Sequence, residues 1–503
     1  MRSSYFTGQF RSLLFLCALL FAWEPRAIPA AGRQTEAHPP LQLHPDNPHY
    51  FLFRGKPTIL ITSGEHYGAV MNLDFDYAKY LGTLEKDGLN LTRTFTGAYV
   101  EPKGAFNIQS NTLAPASARF IAPWPRSTTP GYAGGGNKFD LTQWNETYFA
   151  RLKDFVAQAV RSGVVVEMNL FCPFYEEVQW KISPQNAINN INGLGAVPRT
   201  NVYTLDKNGG LLEIQEKLVR KIVGELNAFD NVYYEVCNEP YFGGVTLEWQ
   251  HRMAEVIASA ERNFPQQHLI SRNVANGAQK IDRVHPAFSI FNFHYAIPPN
   301  AITQNYLLHK AIGDNETGFL GTNDAPYRME AWDFIVAGGA LFNNLDYSFT
   351  VGHEDGTFVY PATQPGGGNP EYRRQLGVLR DFINGFDFVK MKPDTNVIHG
   401  GQWTGMSARA LSQSGRAYAI YLRPVGTPAR ERKGDVWLEL EMPGASYAAE
   451  WIEPITGKVI REEKFVTSGL RRLNAPLFSE DVALRIRAHP QGNAATESRP
   501  KLN

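Results

Sequence analysis

The stretch VYYEVCNEP, Val232–Pro240, decides how this chain is read. Val232, Tyr233, Tyr234 and Val236 are the β-branched and aromatic types that suit a strand. The run then stops on Asn238, Glu239 and Pro240. A buried strand that ends on an amide and a carboxylate either meets water there or aims the carboxylate at a ligand.

Seven further runs of this kind flank it. They are TILITSG (58–64), LNLTRTF (89–95), VVVEMNLF (164–171), HLISRN (268–273), FSIFNFHY (288–295), KAIGDNE (310–316) and ALFNNLDY (340–347). Several are apolar at successive positions, which fits strands covered on both faces. Amphipathic stretches lie between them. Residues 145–163 place Tyr148, Leu152, Phe155, Val156 and Ala159 on one helical face, and 209–227 do the same with Leu211, Ile214, Leu218 and Ile222. Gly163 reads as a helix stop. Eight strand–helix units imply an α/β chain with a (β/α)8 barrel. An open doubly wound sheet is the alternative. It is disfavoured because no glycine-rich phosphate fingerprint follows the first strand.

The pattern changes after about Lys392. Val436, Leu438, Leu440 and Met442 alternate with Trp437, Glu439 and Glu441, the period of a half-buried antiparallel strand. The expected organisation is a signal peptide over 1–30, the barrel over 31–392, a small C-terminal antiparallel β-sandwich over 393–490 and a disordered tail over 491–503.

Composition sets limits. Of the 503 residues, 43% are hydrophobic and 19% charged, enough apolar material for a large core. The formal net charge is +0, so nothing points to nucleic acid. Arg2 and Arg11, the apolar run SLLFLCALLFAW and the small residues AIPAAG have the three parts of an export signal, too short to span a membrane comfortably. The expectation is a secreted or periplasmic protein with no membrane attachment after cleavage near Ala30. Cys172 and Cys237 remain in the mature chain and are read as structural, paired or free. Neither a His-x-His strand nor an HExxH helix occurs among the 12 histidines, so no metal and no cofactor are expected. The sequence leaves the oligomeric state open.

In a barrel the carboxyl ends of the strands surround one cleft. Glu65 and His66 end the first strand, and either meet substrate or cap it. Arg93 lies on the second, Asn238 and Glu239 end the fourth, His294 and Tyr295 the sixth, and Glu316 the seventh. Glu239 and Glu316 face each other across the mouth. Paired carboxyl groups are what glycoside hydrolysis needs: one protonates the leaving oxygen, the other attacks the anomeric carbon or activates water. A separation of about 5–5.5 Å selects the retaining route. Asp314 is the rival of Glu316 for the second role, and Glu235 reads as a buried partner in a polar barrel layer.

These residues resemble the clan A glycoside hydrolases, the group of retaining barrel enzymes that includes the cellulase-like family five. The resemblance covers most of 49–385 and rests on Asn238-Glu239-Pro240, on Glu316 before Thr317-Gly318, on Gly88, Asn90 and Arg93, and on the His294-Tyr295 pair. It implies Glu239 as acid/base, Glu316 as nucleophile and Asn238 on the neighbouring hydroxyl. It also implies that Arg93 holds Glu316 ionised and that Tyr295 hydrogen-bonds it, with His294 lining the cleft. The chain departs from family five in having no histidine after its third strand. Where many clan members carry a tryptophan at the eighth strand end, it offers Asn343, Asn344 and Tyr347, and Asn344 is taken as substrate-binding. Both ends of the chain are closer to apiosidase-like hydrolases, which carry a C-terminal β-domain once labelled as collagen-binding. The resemblance implies a carbohydrate partner and hydrolysis of O-glycosidic bonds in a poly- or oligosaccharide. The alternatives are a non-catalytic carbohydrate-binding protein or a transglycosidase on the same barrel.

Overall fold

A computed structural model describes residues 38–402, 405–425 and 436–489. The expected signal peptide and the C-terminal tail lie outside them. All eight expected strands form: β1 (Leu60–Gly64), β2 (Leu91–Phe95), β3 (Val165–Asn169), β4 (Val232–Glu235), β5 (Ile270–Asn276), β6 (Ile290–His294), β7 (Ala311–Thr317) and β8 (Leu341–Leu345). They pair in parallel in the order β1-β8-β7-β6-β5-β4-β3-β2, a nearly closed barrel. The seam between β1 and β2 is stitched by a side chain. Asn90 Oδ1 accepts from the Ile61 amide at 2.8 Å, and its Nδ2 donates to the Ile59 carbonyl at 2.9 Å. The amide side chain adds to the one backbone bond at that point, from the Asn90 amide to the Ile61 carbonyl at 3.3 Å.

The outer helices are α1 (Tyr77–Asp87), α2 (Glu146–Arg161), α3 (Leu211–Leu226), α4 (Leu247–Glu261), the short α5 (Asn300–Asn305), α6 (Asp324–Val336) and α7 (Pro370–Asn384). The apolar faces read from the sequence of α2 and α3 are buried. Gly163, just past α2, takes φ +69°, a conformation in which glycine has no Cβ penalty. One expected unit departs from the pattern: residues 277–289, between β5 and β6, hold no helix.

Inside the barrel the layers change from apolar to polar. At the amino ends of the strands Leu60, Leu91, Val165, Tyr233, Ile290, Ala311 and Leu341 pack with Leu41 and Phe51, which close the floor. Above them lie Arg93, Glu167, Glu235, Asn292, Asn315 and Asn343, all buried. Gly313 belongs to this packing; a Cβ there would stand 2.4 Å from Asn292 Oδ1 and 2.6 Å from Leu341.

The C-terminal domain is an antiparallel sheet of β9 (Lys392–Pro393), β10 (Ile398–Gln402), β11 (Met406–Gln413), β12 (Ala417–Pro424), β13 (Trp437–Ile452), β14 (Val459–Asn474) and β15 (Val482–His489). Its order is β9-β11-β12-β15-β13-β10, with β14 also paired to β13. A bulge between Met442 and Ala445 divides β13, so its first half pairs with β10 and its second half with β15. Leu438, Leu440 and Met442 point into the enclosed core, as their alternation predicts. The domain also packs on the barrel helices. Trp332 of α6 stacks on Tyr421 at 5.4 Å, Arg328 meets Asp481 at 2.8 Å, and Asp333 accepts from Arg409 at 3.1 Å and Arg423 at 2.6 Å.

Candidate active site

The carboxyl ends of the strands open into a cavity of about 500 Å³. Strand β4 stops at Glu235, earlier than the sequence suggests, and Cys237, Asn238 and Glu239 belong to the turn that follows. Glu239 takes φ +37°, an uncommon conformation for a side-chain-bearing residue. A backbone bond from the Phe242 amide to the Glu239 carbonyl, 3.0 Å, closes that turn.

Glu239 and Glu316 are both buried, and His294 stands between them. Its Nδ1 is 3.3 Å from Glu239 Oε1 and 3.4 Å from Glu316 Oε1. The ligand atoms of these three residues all fall within 4.8 Å of one another. His294 Nδ1 is occupied as a hydrogen-bond bridge between the carboxylates. A cation bound there would have to displace that proton.

The two carboxylates receive different partners. Glu316 accepts at both oxygens. Oε1 takes the Tyr295 hydroxyl at 2.9 Å besides His294, and Oε2 takes the Tyr67 hydroxyl at 3.1 Å and Arg93 Nη1 at 3.4 Å. Burial alone would raise the Glu316 pKa. The His294 charge and hydrogen bond, the Arg93 charge and the Tyr295 hydroxyl outweigh it and hold the carboxyl at about 2. His294 answers in kind: burial lowers its pKa, but the two carboxylates raise it to about 9. Glu239 Oε2 accepts from the Tyr175 hydroxyl at 2.6 Å and Oε1 from Tyr241 at 3.1 Å.

Arg93 is fully buried and divides its donors. Nε meets Glu167 at 2.5 Å, Nη2 meets Glu235 at 2.6 Å and Asn238 Oδ1 at 3.0 Å, and Nη1 donates to Tyr67 at 2.8 Å. Glu235 accepts further from Asn169, Asn292 and Asn315, so it is a member of the polar layer beneath the cavity. Burial, with the charge of Glu167, raises its pKa to about 7 against the opposing pull of Arg93.

Six of the residues singled out in the sequence therefore meet: Glu239, Glu316, Arg93, Asn238, His294 and Tyr295. His66 lines the same cavity, 8% exposed, and burial lowers its pKa to about 4. Two do not join them. Glu65 turns back on its own loop, accepting from the Gly68 and Ala69 amides and the Thr112 hydroxyl at 2.7 Å. Asn344 is fully buried, donating to Ser63 and to the Leu345 carbonyl, because the last turn of β8 faces it into the wall. Cys172 and Cys237 are buried free thiols, and Cys172 lines the cavity.

Sequence reasoning missed Tyr67, Tyr241 and Glu101. Tyr67 and Tyr241 each lie within two residues of a residue it chose, and Glu101 lies in the loop that follows β2. Glu101 accepts from Asn111 and from Tyr99 at 2.9 Å, and burial raises its pKa to about 7 against those bonds.

No family model and no curated protein matches the chain. Solved structures do. A protein from Bacteroides vulgatus ATCC 8482, described as a candidate glycoside hydrolase, superposes with TM-score 0.64 at 15% identity, over 90% of this chain and 83% of its own. A family 5 glycoside hydrolase from the same organism gives 0.60 at 13%, over 90% and 96%. A third, described as a glycoside hydrolase, gives 0.57 at 15%, over 90% and 97%. At such identities the likeness shows the fold, barrel and appended sheet together.

Proposed function

We propose that this protein is an exported, retaining glycoside hydrolase that cleaves O-glycosidic bonds by double displacement, with Glu316 as nucleophile and Glu239 as acid/base. One observation carries the reading: two buried carboxylates share one histidine nitrogen, and one of them alone also receives the Arg93 guanidinium. Glu316 has four donors and is held ionised, as a nucleophile must be. Glu239 has His294 and two tyrosine hydroxyls but no arginine, and it lines the cavity from the turn after β4.

In the first step a Glu316 oxygen bonds to the anomeric carbon as the bond to the leaving oxygen breaks. That oxygen takes a proton from Glu239 and departs as an alcohol. In the second step water gives a proton to Glu239 and its oxygen bonds to the anomeric carbon. The bond to Glu316 breaks, and both carboxyl groups return to their starting states. Ligand atoms within 4.8 Å suit direct attack better than the wider gap an inverting enzyme keeps for its water. Asn238, fixed between Arg93 and the Tyr175 hydroxyl, is placed for the neighbouring sugar hydroxyl. The expected carbohydrate substrate agrees with the descriptions of the superposing structures, and the apolar N-terminal run supports export.

Azide rescue tests the assignment. Glu316→Gly with azide should yield a glycosyl azide of inverted anomeric configuration, and Glu239→Ala with azide one of retained configuration. Full activity in either variant without azide refutes the roles. An inverted first product from the wild type, followed by NMR, refutes retention.

A further inference from the structure

The wall beside Glu239 differs in chemistry from the floor. Besides the two carboxylates, the polar side chains of the cavity include His66, Glu101 and Asn238, with Asn276 beside Tyr241. Beside Glu239 it offers rings. Tyr175, whose hydroxyl donates to Glu239, has Phe106 edge-on at 5.5 Å and Phe242 at 5.7 Å. Phe106 is 42% exposed and Phe242 43%, although both line the cavity. Across the mouth Phe319 and Leu320 also line it and are equally open. None of these four carries a hydrogen-bonding group. Tyr241 does, but its hydroxyl is committed to Glu239 and Asn276.

The position of this wall gives it meaning. An acid must touch the oxygen it protonates. The leaving group therefore passes the carboxyl of Glu239, against Phe106 and Phe242. The turn that sets Glu239 also sets Phe242, through the bond between the Phe242 amide and the Glu239 carbonyl. A second sugar there would have several hydroxyls to satisfy, and beyond Asn276, whose Oδ1 is already taken by the Tyr241 hydroxyl, this wall offers ring faces. A desolvated hydroxyl without a partner is costly. An apolar ring pays no such penalty and gains burial and edge-to-face contact.

We propose that the leaving-group side of this site takes an aromatic or comparably apolar alcohol, so that the substrate is a glycoside of such an aglycone rather than a bond inside a sugar chain. The inference rests on the hydrolase reading above, and it narrows the poly- or oligosaccharide expected from the sequence.

The test uses the full chain and, over a panel of pentoses and hexoses, compares the 2-phenylethyl glycoside, the methyl glycoside and a disaccharide with the same glycone. These leaving groups are unactivated alcohols, so all three need the acid. kcat/KM for the phenylethyl substrate should exceed the other two by about tenfold or more. Phe106→Ser and Phe242→Ser should each collapse that preference. Both side chains are surface-open, so the variants should fold. Equal or better turnover of the disaccharide overturns the inference and leaves the hydrolase reading standing. If no glycoside is turned over, the hydrolase reading fails. Calorimetric binding of the phenylethyl and methyl thioglycosides then decides the aglycone alone, tighter phenylethyl binding supporting it and equal binding overturning it.

Discussion

Replacing a catalytic carboxylate often stabilises an enzyme, because active sites store unfavourable charge and strain. Glu316→Gln should do the opposite. Its two oxygens accept from Tyr295, Tyr67, Arg93 and His294. A glutamine has one accepting atom and one donating atom, so its NH2 must face one pair of donors. Its neutral amide also leaves the buried charges of Arg93 and His294 with less compensation. The magnitude follows from the depressed carboxyl. A fall from the ordinary value of 4.5 to about 2 corresponds to about 3 kcal/mol of folded-state preference for the ionised form. With unfolding entropy near 2.1 cal/mol/K per residue, a chain of 503 residues loses roughly 3 °C of Tm for that amount. The pH dependence adds a second signature. A depressed acid contributes stability above its unfolded pKa and loses it as pH falls through the folded value, here from 4.5 towards 2. A raised histidine contributes below its unfolded pKa and loses it as pH rises, here from 6.5 through about 9. Both limbs should flatten in the variant, because each depends on the same pair. Thermal unfolding of wild type and Glu316→Gln from pH 3 to pH 10 measures this. A variant as stable as wild type at pH 7, with an unchanged alkaline limb, would falsify the assignment of His294 and Arg93 as the groups that hold Glu316 ionised.

Other outcomes follow from particular contacts. Asn90→Ala removes both side-chain bonds at the β1–β2 seam, leaving the backbone bond to the Ile61 carbonyl, and should cost about 2 kcal/mol, with faster amide exchange at Ile61; unchanged exchange there would show that the seam closes without the side chain. Arg328→Met leaves Asp481 buried without its cation and should cost about 3–5 kcal/mol, read by urea unfolding; a loss under 1 kcal/mol would mean that this ion pair adds little to the packing of the sheet on the barrel. Asp314 and Glu330 are neighbouring carboxyl groups in the core, and burial raises the pKa of both, Glu330 to about 7. A raised acid contributes stability at low pH and loses it as pH climbs from 4.5 through about 7. Asp314→Asn, which can donate to Glu330, should therefore be more stable than wild type at pH 8–9, by thermal unfolding; an equal or lower Tm there counts against a proton shared by the pair.

Asp314 also shows how far one dimension reaches. From the sequence it rivalled Glu316, since both are acids at the end of one strand. Strict alternation would put both on one face; a break in the register of β7 between them separates the two, so that Asp314 turns towards Glu330 of α6 and its Oδ2 accepts from the Ala296 amide. The same holds at the seam. Gly88, Asn90 and Arg93 were legible as a motif, but Asn90 spends its side chain on backbone and only Arg93 reaches the site. Glu65 and Asn344 were chosen for their place at strand ends, and strand ends do not say which way a side chain turns.

The sequence by itself determined the eight strands, the register of α2 and α3, the switch to alternation after Lys392 and the two carboxylates, because each is written in local periodicity or in a short motif. The tertiary structure alone decided which acids meet. Distances between residues 239 and 316 are set by barrel closure. The tyrosines at 67, 175 and 241 arrive from loops whose paths no local pattern encodes. The contrast between a polar floor and a ring-lined wall beside Glu239 exists only once Phe106, Tyr175 and Phe242, from three separate loops, are packed together.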